Sequence, residues 1–223
     1  GKHAAGVIIA PKPLVNYVGL FSGKEGITTQ TDMGFVEKLG LLKMDFLGLR
    51  TLTVIDHALD LIEKNHHQKI DILSLPLDDK KVFQLLSEGK TIGIFQFESE
   101  GMQGYLRKLK PTVFEDMIAM NALYRPGPLG SNMVDTFIHR KHGIEKIEYS
   151  TPLLETILKE TYGVIVYQEQ VMRIASDLGG FSLGEADSLR RAMGKKNEAI
   201  MAQFKPKFVE GCGKNGISEE ISN

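Results

Sequence analysis

At 223 residues, 42% hydrophobic and 25% charged, the chain is long enough to bury a sizeable core and has the composition of a globular protein of one or two domains. A net charge of −1 excludes a global basic field, so any contact with nucleic acid or nucleotide must come from local clusters. The single cysteine, Cys212, excludes an internal disulfide and suits a cytoplasmic protein, and no apolar run approaches the roughly 18 to 20 residues needed to cross a bilayer.

In chain order, residues 6–10 and 41–46 read as two β-rich runs. A polar, Gly-punctuated segment over 22–34 separates them and predicts turns or a hairpin, with Asp32 as a turn residue. Leu39, Leu41, Leu42, Met44, Phe46, Leu47 and Leu49, bounded by Gly40 and Gly48, predict a short buried strand. A lone carboxylate inside such a run costs several kcal/mol, roughly, unless compensated, so Asp45 must have either a partner or a chemical role. Lys43, two residues earlier, shares its face of the strand, so a structural Lys43–Asp45 pair at a strand edge is the plainer alternative.

From residue 51 the signals turn helical. Leu52, Ile55, Leu59 and Ile62 recur at helical spacing up to about Asn65, and Asp78-Asp79 reads as the N-cap of a helix over 80–87. Thr112-x-x-Glu115 predicts a capping box for a helix over 114–123, which Arg125-Pro126-Gly127-Pro128 stops. Thr151-Pro152 is a further start signal. Val171, Ile174, Ala175 and Leu178 make a core stripe closed by Gly179-Gly180, and Ser182-x-x-Glu185 caps the next helix, which buries Ala186, Leu189 and Met193. The predicted fold class is α+β, a small mixed α/β part followed by a larger, mostly helical one.

That last helix carries the second chemical feature. Arg190 and Arg191, with Lys195 and Lys196 just beyond Gly194, form a local positive patch. Paired guanidinium forks suit a triphosphate, because they bind its oxygens bidentately and stay charged at any working pH. The alternative is a solvated face on which Asp187 pairs with Arg190 or Arg191 at i,i+3 or i,i+4. Other candidates are weaker. His66-His67 and His139-x-x-His142 lack the cysteine or carboxylate companions of a zinc site, Arg125 and Tyr167 read as structural, and Cys212 has no evident base.

Four words of the sequence go further. The segment from Lys43 to Thr53, the upstream His3-Ala4-Ala5-Gly6-Val7-Ile8-Ile9-Ala10-Pro11, the downstream Tyr167-Gln168-Glu169-Gln170-Val171-Met172, and Leu189-Arg190-Arg191-Ala192-Met193-Gly194-Lys195-Lys196 resemble, in that order, the family-C replicative polymerases of bacteria, the DNA polymerase III alpha subunits. The resemblance implies template-directed transfer of a nucleotide from a dNTP to a primer 3′-hydroxyl. It implies residues 1–50 as the C-terminal part of the palm and 51–223 as the N-terminal part of the fingers. Asp45 falls at a catalytic, metal-binding carboxylate, Lys43 at an electrostatic partner, and Arg190 and Arg191 at the pair that holds the incoming triphosphate. Two Mg²⁺ ions, primer–template DNA, a sliding clamp and other replisome subunits are implied as cofactors and partners, with no membrane. The remaining catalytic aspartates belong in the family to an upstream segment that this chain lacks, and the chain opens at Gly1 without a methionine, so it is expected to be an excised fragment, inactive alone and without an ordered metal pair. Two other classes compete: a non-catalytic nucleic-acid-binding module, supported by the basic patch alone, and a metal-dependent phosphodiesterase, which needs a second acidic cluster.

Overall fold

The computed structural model describes every residue except Gly1, Lys2, Ala4, Glu25 and Lys195. The chain divides into two units, one ending at Ile72 and one running from Leu73 to Asn223. In the first, β1 (Gly6–Ile9) is followed by a 3₁₀ turn at Leu14–Asn16 and then by the antiparallel hairpin β2 (Leu20–Gly23) and β3 (Gly26–Thr29), which pairs Leu20 with Thr29 and Gly23 with Gly26. Gly26 takes φ +111°, a value that a side chain would resist, and so allows the tight reversal. The hairpin thus forms at the predicted turn-rich segment, with its first strand beginning two residues earlier. Asp32 proves to be an N-cap rather than a turn residue: its carboxylate accepts from the Phe35 N–H at 3.1 Å and starts α1 (Met33–Lys38). β4 (Leu42–Asp45) returns antiparallel to β1, and α2 (Arg50–His66) follows, ending at His67 in the left-handed region.

The β1–β4 register sets Gly6 opposite Asp45, Val7 opposite Met44, Ile8 opposite Lys43 and Ile9 opposite Leu42. Opposed residues point to one face and successive residues to alternate faces. Ile8 therefore turns toward the small core of Val18, Val36 and Leu41, and Gly6, Lys43 and Asp45 share its side of the ladder. Val7, Ile9, Leu42 and Met44 make the other face and are 44–56% exposed. The expected buried strand is corrected here. Leu41 is buried, but Leu39, Leu42, Met44, Phe46, Leu47 and Leu49 all stand largely exposed, because a ladder of two strands has only one face packed within this unit. The helix predicted from Leu52, Ile55, Leu59 and Ile62 forms, with none of its residues buried.

The second unit is helical: α3 (Lys80–Ser87), α4 (Glu100–Leu109), α5 (Phe114–Leu123), α6 (Pro126–Gly130), α7 (Met133–Lys141), α8 (Glu155–Leu158), α9 (Gln168–Asp177), α10 (Leu183–Gly194), α11 (Glu198–Lys214) and α12 (Glu219–Ser222). Asp79 caps α3 by accepting from the Lys81 N–H at 2.8 Å, as its position predicts. Met102, Leu106 and Leu109 of α4 pack with Met120 and Leu123 of α5 and Val134 and Phe137 of α7; each of these large side chains contributes about 1.5–3 kcal/mol by leaving water.

The capping box expected at Thr112 and Glu115 is displaced by one residue. Val113 is the N-cap, and the reaching side chain is Asp116, which accepts from the Thr112 N–H at 2.9 Å and the Val113 N–H at 3.3 Å. Asp116 wins because it is also drawn inward: Lys141 Nζ lies 2.9 Å from its Oδ2 and the Tyr162 hydroxyl donates to its Oδ1 at 3.0 Å. Arg125-Pro126 does end α5, but Pro126 then occupies the first turn of α6, where its missing N–H costs nothing. Thr151-Pro152 opens a 3₁₀ turn that runs into α8. The Ser182–Glu185 box forms as predicted, with Glu185 Oε2 accepting from the Ser182 N–H at 3.0 Å. On α10 Ala186 is buried and Leu189 packs beside it as predicted, but at the end of the stripe Ala192 is buried in place of Met193, which is exposed. Gly211 of α11 lies against the Gly179 carbonyl so closely that no side chain fits between them.

Candidate functional site

Two clusters bring together the residues singled out in the sequence, one in each unit. In the first, Lys43 and Asp45 stand two apart on β4 and so project from the same face. Lys43 Nζ donates to Asp45 Oδ1 at 2.6 Å, and His3 Nδ1 lies 3.7 Å from the same oxygen. Gly6 across the ladder makes this possible: a Cβ there would meet Lys43 Cε at 2.8 Å and Asp45 Oδ1 at 3.2 Å. The Lys43 hydrogen bond outweighs what desolvation there is and holds the Asp45 carboxyl below the ordinary carboxylate range. The Asp45 side chain is 42% exposed. The argument from an expensive buried charge therefore fails, and what remains is an accessible, ionised carboxylate with one oxygen committed to an ammonium. Its second oxygen has no partner among the described residues, and it is the kind of hard donor that Mg²⁺ selects. Among the described residues no three His, Cys, Asp or Glu side chains gather to hold a metal, so Asp45 offers one ligand and not a complete site.

In the second cluster, Asp187 sits one turn before both arginines. Its Oδ1 accepts from Arg190 Nε at 2.9 Å and Arg190 Nη2 at 2.8 Å, and its Oδ2 lies 2.8 Å from Arg191 Nε. A further bond comes from outside the helix, as Arg190 Nη1 donates to Gln168 Oε1 at 2.9 Å. The pairing foreseen as the plainer alternative is thus present for both arginines at once. The Arg190 hydrogen bonds keep the Asp187 carboxyl below the usual range. Arg190 is 30% exposed and Arg191 69%. Of the two lysines assigned to this patch, Lys195 lies outside the described residues and Lys196 is exposed.

Of the weaker candidates, His66, His67, Arg125 and His139 are exposed, and the others take structural places. His142 Nε2 bonds the Lys108 carbonyl at 2.9 Å. Tyr167 packs against the core of the second unit, where burial and then Glu160 push its hydroxyl up to about 12, so it stays neutral. Cys212 is buried, which raises its thiol pKa. A cleft of about 680 Å³ lies between Gly179-Gly180 and α11, but its cations Lys207 and Lys214 are paired with Glu185 and Glu210, and neither arginine lines it. Among the described residues no helix is long and apolar enough to cross a membrane.

Residues 51–216 match the finger domain of the bacterial DNA polymerase III alpha subunit, and residues 1–48 match the bacterial DNA polymerase III alpha NTPase domain. The chain belongs to the bacterial DNA polymerase III alpha subunit family. It is 59% identical to DNA polymerase III subunit alpha of Aquifex aeolicus (strain VF5) across 98% of this chain and 19% of that protein. It is 52% identical to DNA polymerase III subunit alpha of Staphylococcus aureus (strain COL) across 99% of this chain and 20% of that one. The chain therefore spans about a fifth of the length of these relatives. In this family context, sequence reasoning assigned no role to His3 or Gln168. Gln168 meets Arg190 across 22 positions and two helices, a distance over which no periodicity operates. The only signal was its place in the Tyr167–Met172 word.

Proposed function

We propose that this chain is the part of a replicative DNA-directed DNA polymerase that supplies one catalytic carboxylate, Asp45, and the dNTP triphosphate contacts, Arg190 and Arg191. On this reading residues 1–50 are the C-terminal part of the palm and residues 51–223 belong to the fingers. The observation that carries it is the match of 98% of the chain to DNA polymerase III subunit alpha, together with an ionised, half-exposed Asp45 inside that match.

Asp45 would hold Mg²⁺ through the oxygen that Lys43 leaves open. Two such ions, when bound, activate the primer 3′-hydroxyl and steady the departing pyrophosphate. Lys43 fixes the carboxylate rotamer and keeps the group ionised, so its geometry is set before substrate arrives. The guanidinium pair binds the triphosphate oxygens while remaining charged throughout. The other metal-binding carboxylates come from sequence beyond this chain, so the 223 residues alone perform no primer extension. Partners are primer–template DNA and dNTPs, with the sliding clamp and other replisome subunits in the whole cytoplasmic enzyme.

The test is Asp45→Asn in the full-length polymerase, with primer extension measured alongside folding. The substitution keeps the shape, removes the charge and should lower kcat by orders of magnitude with the fold intact. Normal extension by this variant would make the Lys43–Asp45 pair structural and remove the assignment. Extension by the isolated chain would mean that its site is complete.

A further inference from the structure

The two arginines are not equivalent. Arg190 spends three of its five N–H donors inside the protein, two on Asp187 and one on Gln168. Arg191 meets Asp187 through an ion-pair contact at Nε, and its two terminal nitrogens have no partner among the described residues on a side chain that is 69% exposed. A phosphate recognised by a planar fork needs two parallel N–H groups directed the same way. Arg191 has that edge free. Both terminal nitrogens of Arg190 already carry a protein partner.

We propose that Asp187 is a positioning residue for the incoming triphosphate: with one oxygen on each guanidinium it holds Arg190 as a buttress and aims the open terminal edge of Arg191 at the phosphate, Gln168 anchoring the assembly to α9. This rests on the reading of the Arg190–Arg191 pair as the triphosphate site and makes Arg191 its principal phosphate contact. Two adjacent guanidiniums on one helix repel each other, and long side chains lose rotamer freedom when a ligand fixes them. A carboxylate between them relieves the repulsion and orders both before nucleotide binds, so less ordering is left to be done on binding. Asp187 also carries a negative charge toward an anionic ligand. That repulsion acts across water and is screened by salt, whereas orientation of the fork is not.

The test is a double-mutant cycle on dNTP KM in the full-length polymerase, with Asp187→Asn and Arg191→Ala singly and together. Arg191→Ala should raise KM by about 10- to 100-fold, the range for a bond to a charged group, and Arg190→Ala by less. Asp187→Asn should raise KM about 3- to 10-fold with kcat within about twofold, and should add nothing in the Arg191→Ala background. Gln168→Leu, which leaves both charges in place, should raise KM in the same direction, and primer–template affinity should be unchanged in every variant. If Arg191→Ala raises KM but Asp187→Asn lowers it, or adds its full effect on top of Arg191→Ala, the positioning role is overturned and the triphosphate reading stands. An unchanged KM in Arg191→Ala and Arg190→Ala removes the triphosphate reading itself and this inference with it.

Discussion

Asp116→Ala is the sharpest test of what holds the helical unit together. Asp116 is 1% exposed and the Lys141 side chain 7%, so this is a buried ion pair and not a surface one. Its carboxylate serves Lys141 Nζ at 2.9 Å, the Tyr162 hydroxyl at 3.0 Å and the backbone N–H groups of Thr112 and Val113 at 2.9 and 3.3 Å. Truncation leaves a buried ammonium with the Thr112 hydroxyl at 2.9 Å and the Tyr162 ring face, its centroid 5.8 Å away, but no countercharge, and strips the start of α5 of its acceptor. Removing one partner of a buried pair costs about 3–5 kcal/mol. For a chain of this length that is a fall in Tm of about 6–20 °C, at about 2–4 °C per kcal/mol. Lys141→Met should cost less, since the carboxylate keeps the Thr112 and Val113 N–H groups and the Thr112 and Tyr162 hydroxyls. The pair Asp116→Asn with Lys141→Met should cost less than the sum of its parts by about 1–3 kcal/mol, because the second change removes the charge that the first leaves stranded. The chain has no tryptophan, so the assay is far-ultraviolet circular dichroism during urea and thermal unfolding. Costs below about 0.5 kcal/mol for Asp116→Ala, or strict additivity in the double variant, would refute the buried-pair account.

The same carboxylate sets an acid limit. Burial pushes its pKa up, but the Thr112 amide, Lys141 and Tyr162 together bring it below the unfolded value of 3.8, so the stability it contributes is complete above about pH 4 and is lost as pH falls through the folded-state value. Asp116→Asn should flatten that acid limb in a pH titration of Tm, and an unchanged limb would assign it to other groups. Gly211→Ala offers a test of sign: alanine improves helix propensity by about 0.5–1 kcal/mol, yet a Cβ at this position collides with the Gly179 carbonyl, so the variant should be less stable by about 1–3 kcal/mol. A rise in Tm would show that α11 shifts freely against the Gly179–Gly180 turn.

The parts of the fold legible in the sequence were those governed by local rules. Asp79, the Ser182–Glu185 box and the Gly-punctuated hairpin are fixed by residues within a turn of each other, and each appears where its pattern puts it. What failed was set by distant partners. Thr112 and Glu115 satisfied the capping pattern, but Lys141 and Tyr162 draw Asp116 inward, and the cap follows the buried carboxylate. The run around Asp45 read as buried because hydrophobicity along a strand cannot report how many strands stand beside it, and here β4 has β1 alone. The Lys43–Asp45 and Asp187–arginine contacts were accessible to period-two and i,i+3 or i,i+4 reasoning, whereas Gln168 was not.

Three of the carboxylate–cation groups of this chain differ in what they can be for. Lys43–Asp45 and Asp187 with its arginines are accessible to solvent, and exposed pairs contribute from nothing to about 1 kcal/mol to stability. Stability is therefore a poor reason for either cluster to exist. Asp116–Lys141 is the reverse, sealed from solvent, fully bonded and costly to break, and out of reach of any substrate. In both accessible clusters the internal partner takes only part of the group's bonding capacity: Asp45 keeps a free oxygen and Arg191 keeps a free terminal edge among the described residues. A pair that existed only to neutralise itself would gain by closing fully, as Arg190 does on Asp187. Partial commitment instead fixes the direction of a charged group and leaves its reacting edge available, the preorganisation that phosphoryl transfer demands of its ligands. If the proposed roles hold, Asp45 and Arg191 are the groups that would touch metal and phosphate, and Lys43, Arg190 and Asp187 would set their direction.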